Sequence, residues 1–246
     1  MRWIYLSPHL DDAVLSAGGL IYEQTQAGIP VEVWTLLAGP PPEGELSKFA
    51  QLMHYLWGFS SGEQAVRERR LEDEKAVSML GAAAVHFDFL DAIYRRGPDG
   101  EWLYKEDVSG ETHPADSALP EQIAEAVSLR LLPDDVLVAQ FGIGGHVDHG
   151  LVRAAAELIG RPLWYDADLP YLFNHPEELD PNTAGMSEVV QPVSEAGLEA
   201  WHQAILAYAS QLSTVFDDVA KIPTLLREYW QPHLGVCLYR MDNKEY

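Results

Sequence analysis

Two short segments, far apart in the chain, carry residue types that can do chemistry together: Ser7-Pro8-His9-Leu10-Asp11-Asp12 and Gly144-Gly145-His146-Val147-Asp148-His149. Imidazole and carboxylate are the nitrogen and oxygen donors that suit zinc when no thiolate takes part. A second carboxylate beside a ligating one has the character a general base needs. In the later segment two histidines three positions apart converge if the turn folds back or opens a helix. An aspartate between them can accept a hydrogen bond from one ring and fix its tautomer. The glycines allow close backbone approach and unusual dihedrals. Each segment also has a plainer reading. Asp11 and Asp12 suit a helix N-terminus, and a glycine loop with two solvated histidines is unremarkable. Together the segments supply three ligands and spare catalytic groups, which neither does alone.

The elements that must position these groups follow from apolar patterning. Trp3 to Ser7, Val31 to Leu37, Ala84 to Leu90, Val136 to Ala139, Leu163 to Tyr165 and Leu234 to Arg240 have the apolar, β-branched and aromatic content of strands. Helical spacing runs through 13–26, 63–80, 120–131, 149–159, 195–209 and 220–230, with Gly28 and Gly81 as stops. Residues 39–44 are too rich in Pro and Gly to continue any element, and 91–119 is expected to be a long surface loop. Strands alternating with helices predict an α/β, three-layer, Rossmann-like fold with a mostly parallel central sheet, formed by a single domain over 1–246. Ligands bind such sheets at the carboxyl ends of strands, and both chemical segments fall at strand-to-helix turns of that kind.

Pro8-His9-Leu10-Asp11-Asp12 and His146-Val147-Asp148-His149 resemble the paired motifs of the LmbE-like, or PIG-L-type, zinc-dependent de-N-acetylases. The resemblance extends to Gly18-Gly19, to Arg69-Arg70-Leu71-Glu72 with Ala76 and Leu80-Gly81, and weakly to 165–171. It implies that His9, Asp12 and His149 bind one zinc ion, that Asp11 is the general base, and that His146 stabilises the oxyanion or protonates the leaving nitrogen. By the same resemblance Asp148 orients His146, and Arg69 contacts substrate. Asp91 only approximates a further aspartate of the family. A tyrosine that some sugar deacetylases carry two residues before the first histidine of the second motif is replaced here by Gly144. The implied activity is removal of an N-acyl group, N-acetyl above all, from an amino sugar or small glycoconjugate. An amidase acting on a non-sugar natural-product intermediate, and a non-catalytic metal- or sugar-binding homologue, stay open as alternatives. Iron or cobalt can replace zinc in such a donor set.

Composition sets the context. The formal net charge of −22 speaks against nucleic acid and against an anionic membrane surface as partners. No apolar run is long enough to span a bilayer, and the start lacks a secretory signal, so a cytoplasmic location is expected. A small molecule is the expected partner, with a homo-oligomer left open. The single cysteine, Cys237, excludes an internal disulfide and a thiolate cluster. His54, His86, His113, His175, His202 and His233 have no partner at ligand spacing and are expected to be structural or solvated. Trp201, Ile205 and Tyr208 share a helical face and belong to the core. Trp34 and Trp57 fill the core or line a sugar face. Arg95 and Arg96 either hold an anionic substrate group or lie in a solvated turn.

Overall fold

The apolar runs become the strands expected of them, and their order in space explains why the two chemical segments meet. The structure, a computed structural model, describes residues 1–241; the last five residues of the expected domain lie outside the described residues. Strands β1 (Trp3–Ser7), β2 (Val31–Thr35), β3 (Ala83–His86), β4 (Val136–Gln140), β5 (Leu163–Asp166), β6 (Met186–Pro192) and β7 (Gly235–Met241) form one sheet in the order β3-β2-β1-β4-β5-β7-β6. The first five run parallel, and β7 is antiparallel to both β5 and β6. Because β1 and β4 are neighbours, the turns leaving their carboxyl ends lie side by side, at the switch in strand order where α/β folds bind ligands.

Helices cover both faces of this sheet. Helices α1 (Asp12–Gln26), α2 (Lys48–Leu56), α3 (Gly62–Met79), α4 (Leu119–Ser128) and α5 (Val147–Leu158) precede two short ones, α6 (Tyr171–Asn174) and α7 (Leu179–Thr183). Then come α8 (Glu195–Ile205), α9 (Leu212–Val215) and α10 (Ile222–Trp230). Alternate strand residues take opposite sides. Tyr5, Val33, Val138 and Leu238 pack with α1, α3, α8 and α10, whereas Leu6, Trp34, Leu137 and Tyr165 pack with α4 and α5. The three-layer expectation is thus met. The glycine pair in α1 has a packing reason: a Cβ on Gly18 would overlap the Trp201 ring, and one on Gly19 would meet it at 3.0 Å. Trp201 lies flush on α1, fully buried, with its indole Nε1 donating to Val14 O at 2.7 Å.

Four expectations change. Residues 186–192, given no element from sequence, form the edge strand β6. Residues 48–56, given no element from sequence, form α2, capped by Ser47, whose hydroxyl accepts from the Ala50 N–H. The third strand stops at His86 rather than Leu90: Phe87 N still donates to Thr35 O, but beyond it the parallel ladder gives way to an isolated antiparallel bridge between Leu37 and Asp88. The 91–119 segment lacks long elements but is no free surface loop. Ala92, Ile93, Tyr94, Arg95, Tyr104 and Asp116 are buried in it, held by side-chain bonds described below.

Candidate active site

Pro8 carries the chain out of β1 and His9, Asp11 and Asp12 follow within one turn. Asp11 occupies the N-cap of α1, yet its side chain makes no capping bond. The capping reading therefore fails for Asp11, whose carboxylate is left for other work. On the neighbouring turn, positive φ at Gly142, Gly144 and Gly145 folds the chain after β4 back on itself. His146 is then the N-cap of α5, and Asp148 and His149 lie in its first turn. The rings of His9, His146 and His149 stand 4.7–5.4 Å apart, centre to centre.

Two carboxylates fix the imidazoles. His9 Nε2 donates to Asp148 Oδ2 at 2.9 Å, and His149 Nδ1 donates to Asp168 Oδ1 at 3.0 Å. Each bond commits one nitrogen to carry the proton and leaves the other as a bare lone pair. Those bare nitrogens both face Asp12: His9 Nδ1 is 3.2 Å and His149 Nε2 3.4 Å from Asp12 Oδ2. His149 Nε2 is buried without a hydrogen-bond partner, an arrangement that costs about 1–3 kcal/mol unless something fills it. A proton shared with Asp12 or a metal cation would fill it, and carboxylate-backed histidines are the usual support for a metal. Burial opposes charge on both rings, but the Asp12 carboxylate overrides it, raising His9 and taking His149 to about 10. Burial would also raise Asp12, yet the two imidazoles hold it well below the ordinary carboxylate range. The pocket floor calls for positive charge between these three groups.

The spare groups surround that point. Burial, and then the charge of Asp12, push the Asp11 carboxyl up to about 7. Arg69 Nη2 lies 3.9 Å from Asp11 and its Nη1 4.0 Å from Asp91, while its guanidinium stacks on Trp57. His146 Nδ1 accepts from the Asp148 backbone N–H at 3.1 Å, so the neutral ring carries its proton on Nε2. Burial, and then charge on His9, lower that imidazole to about 3. These residues line a cavity of about 270 Å³, walled on its outer side by Phe49, Met53, Trp57, Ile93 and Val108. A wider groove of about 770 Å³ runs past Glu45, Lys48, Arg96 and Lys105, but no buried base or ligand set stands in it among the described residues.

Two expected contacts are replaced by others. Asp148 does not orient His146 through its carboxylate. That group accepts from His9 Nε2 and from Ala92 N, and pairs with Arg95 Nη2 at 2.6 Å, so it is directed at the turn between β1 and α1 and at residues 92–95. Burial alone would raise Asp148, but Arg95 and then His9 hold it low. Arg95, expected in a solvated turn or on a substrate anion, is instead buried. It donates to Asp116 Oδ2 at 2.9 Å and to Leu90 O at 3.0 Å. Arg96 does lie outward, stacked on Trp102. Trp34 is core, and Trp57 lines the cavity.

The sequence reading missed Asp168, Arg95 and Tyr171 as parts of this site. Asp168 follows β5 in a left-handed conformation, φ 51°, and its second oxygen accepts from Gly142 N and Ile143 N. Its signal was its place after a strand end, inside the 165–171 segment. Tyr171 supplies a ring beside Gly144, where the tyrosine of some relatives is absent. A Cβ on Gly144 would come within 2.8 Å of it, and the Tyr171 ring meets His149 edge-on at 5.3 Å.

Residues 4–159 match the PIG-L family, described as GlcNAc-PI de-N-acetylase. The chain is 27% identical over 238 residues to a 2'-N-acetylparomamine deacetylase of Niallia circulans, covering 89% of this chain and 84% of that one. Among solved structures, a deacetylase–bog complex from the teicoplanin biosynthesis pathway superposes with a TM-score of 0.86 at 31% identity, covering 99% of this chain and all of that one. The zinc-inhibited form of a teicoplanin deacetylase superposes with a TM-score of 0.84 at 30% identity, with 99% and 100% coverage. Among the described residues no helix is long and apolar enough to cross a membrane.

Proposed function

Because the chain belongs to the PIG-L family of de-N-acetylases, we propose that it is a divalent-metal-dependent hydrolase that removes an N-acyl group, chiefly acetyl, from an amino sugar borne on a small glycoconjugate. The observation that carries this reading is the cluster of His9, Asp12 and His149. Their donor atoms lie within 4.8 Å of one another, with the His149 nitrogen buried and unpartnered and the free Asp11 carboxylate alongside. The amino-sugar part rests on the relatives, which deacetylate paromamine and teicoplanin intermediates by name.

The donor set suits zinc, and a cation there would polarise the acyl carbonyl and bring the pKa of water to about 7. Asp11, whose carboxylate is not spent on capping α1, then takes a proton from the attacking water. Attack places negative charge on the former carbonyl oxygen. His146, with its proton on Nε2, donates to that oxyanion, a contact worth about 3 kcal/mol of barrier when lost. The protonated Asp11 next returns its proton to the departing nitrogen, and the amide C–N bond breaks to give acetate and a free amine. Asp148 keeps the His9 ring in place through this sequence, and Arg69, aimed between Asp11 and Asp91, faces the substrate side of the cavity.

Acetate release measured over a panel of N-acetylated amino sugars and of non-sugar acyl amides, with and without chelator, tests the proposal. Chelator-sensitive release from the sugars is the expected result. Release confined to non-sugar amides, or indifferent to exhaustive chelation, would overturn it.

A further inference from the structure

A second cluster of ligand-type side chains lies on the far edge of the sheet, away from the cavity just described. Cys237 on β7 faces the same side as Tyr239, and Glu188 on β6 pairs in register with Tyr239, two places from the partner of Cys237. His233 stands in the turn between α10 and β7, just before a left-handed Leu234, φ 51°. Cys237 is buried, whereas Glu188 and His233 are exposed above it. One donor atom from each lies within 4.8 Å of the other two, and Cys237 Sγ donates to Glu188 Oε1 at 3.4 Å.

We propose that Glu188, His233 and Cys237 form a second, peripheral site for a borderline transition-metal cation such as zinc or cobalt(II). Tetrahedral zinc, bonded at about 2.3 Å to sulfur and about 2.0 Å to nitrogen or oxygen, sets its sulfur and oxygen donors roughly 3.5 Å apart. The thiol and carboxylate already stand at that separation. Sulfur, imidazole and carboxylate together select this class of metal over calcium or magnesium, which take oxygen alone. Burial, followed by the adjacent Glu188 charge, pushes the Cys237 thiol up to about 12, so metal entry releases the thiol proton to solvent. The exposed side of the triad leaves the remaining coordination position to water. Bound there, the cation ties β6, β7 and the α10–β7 turn together at the antiparallel edge of the sheet.

Cobalt(II) titration of the purified full chain tests this directly. Cys237 is the chain's single sulfhydryl, so a thiolate-to-cobalt charge-transfer band in the near ultraviolet reports this site and is blind to the His9–Asp12–His149 centre. The band is expected in the wild type and absent in Cys237→Ser. Even an outer-shell partner is worth about tenfold in metal affinity, so His233→Ala and Glu188→Gln, both at exposed positions, should weaken the cobalt affinity read from the band by at least ~10-fold. Folded wild-type protein that takes up cobalt without such a band would overturn the site. An unchanged affinity in both exposed variants would overturn the ligand set. Neither result bears on the deacetylase reading, which fails or stands on acetate release.

Discussion

Replacing Arg95 with methionine probes the least anticipated part of the site. The guanidinium holds Asp148 at 2.6 Å and Asp116 at 2.9 Å, and neither side of either contact is more than 7% exposed. Methionine fills much of the same volume without charge, leaving Asp148 fully buried against only His9 and the Ala92 N–H. Breaking a buried pair from one side costs about 3–5 kcal/mol, because the remaining carboxylate stays uncompensated. For a chain of this size each kcal/mol shifts Tm by roughly 2–4 °C, so the variant should melt about 6–20 °C lower. Asp148 is held below its ordinary range, so the stabilisation it brings is complete above its unfolded pKa of about 3.9 and declines as pH falls from there through the lower folded value. The gap between wild type and variant should accordingly narrow in acid. Melting both proteins by circular dichroism in the presence of chelator, at neutral pH and again in acid, measures this without a contribution from metal binding. Arg227→Met, which breaks an exposed pair with Glu195, serves as the comparison and should leave Tm unchanged. A Tm for Arg95→Met that matches the wild type at neutral pH would refute the argument that Asp148 is a desolvated charge held by Arg95.

Other substitutions separate the roles around the cavity. His149→Ala, made in the Cys237→Ser background so that only the His9–Asp12–His149 cluster is counted, should lose the metal that Cys237→Ser alone retains after dialysis, as read by elemental analysis; equal content in the two proteins would take His149 out of the ligand set. His146→Ala should keep the metal and lower kcat on the order of a hundredfold or more, the usual cost of one oxyanion donor, and turnover at the wild-type level would remove that role. Gly144→Ala forces a side chain into a left-handed position, φ 83°, against Tyr171. It should cost about 1–3 kcal/mol in urea unfolding, and a neutral result would contradict both the backbone strain and the tight Tyr171 contact.

How far the sequence reveals this protein depends on whether a group's partner is local. His9, Asp11 and Asp12, like His146, Asp148 and His149, sit in contiguous runs at strand ends, and adjacency of β1 and β4 suffices to unite them. The parallel sheet and its two helical layers are equally legible, since strand and helix periodicities alternate cleanly along most of the chain. What escapes is set by tertiary contact. Asp168 and Tyr171 matter because the β5 exit turns towards α5, which no spacing encodes. Arg95 reads like any loop arginine until Asp148 and Asp116 close on it from elements on either side. The direction of the Asp148 carboxylate, towards His9 and not His146, depends on how α5 is rotated against β1. Helix α2 is short, and Leu52, Tyr55 and Leu56 stay exposed on it while Phe49 and Met53 wall the cavity, so its apolar residues do not all mark a core face.

The central claim is that one cation is gripped by His9, Asp12 and His149 while Asp11 acts on water without holding that cation. Asp11→Asn, assayed in parallel for bound metal and for acetate release, separates these two jobs in a single variant. Wild-type metal content and a loss of turnover of about 10²–10⁴-fold are expected. Retained turnover, or loss of the metal along with it, would contradict the account.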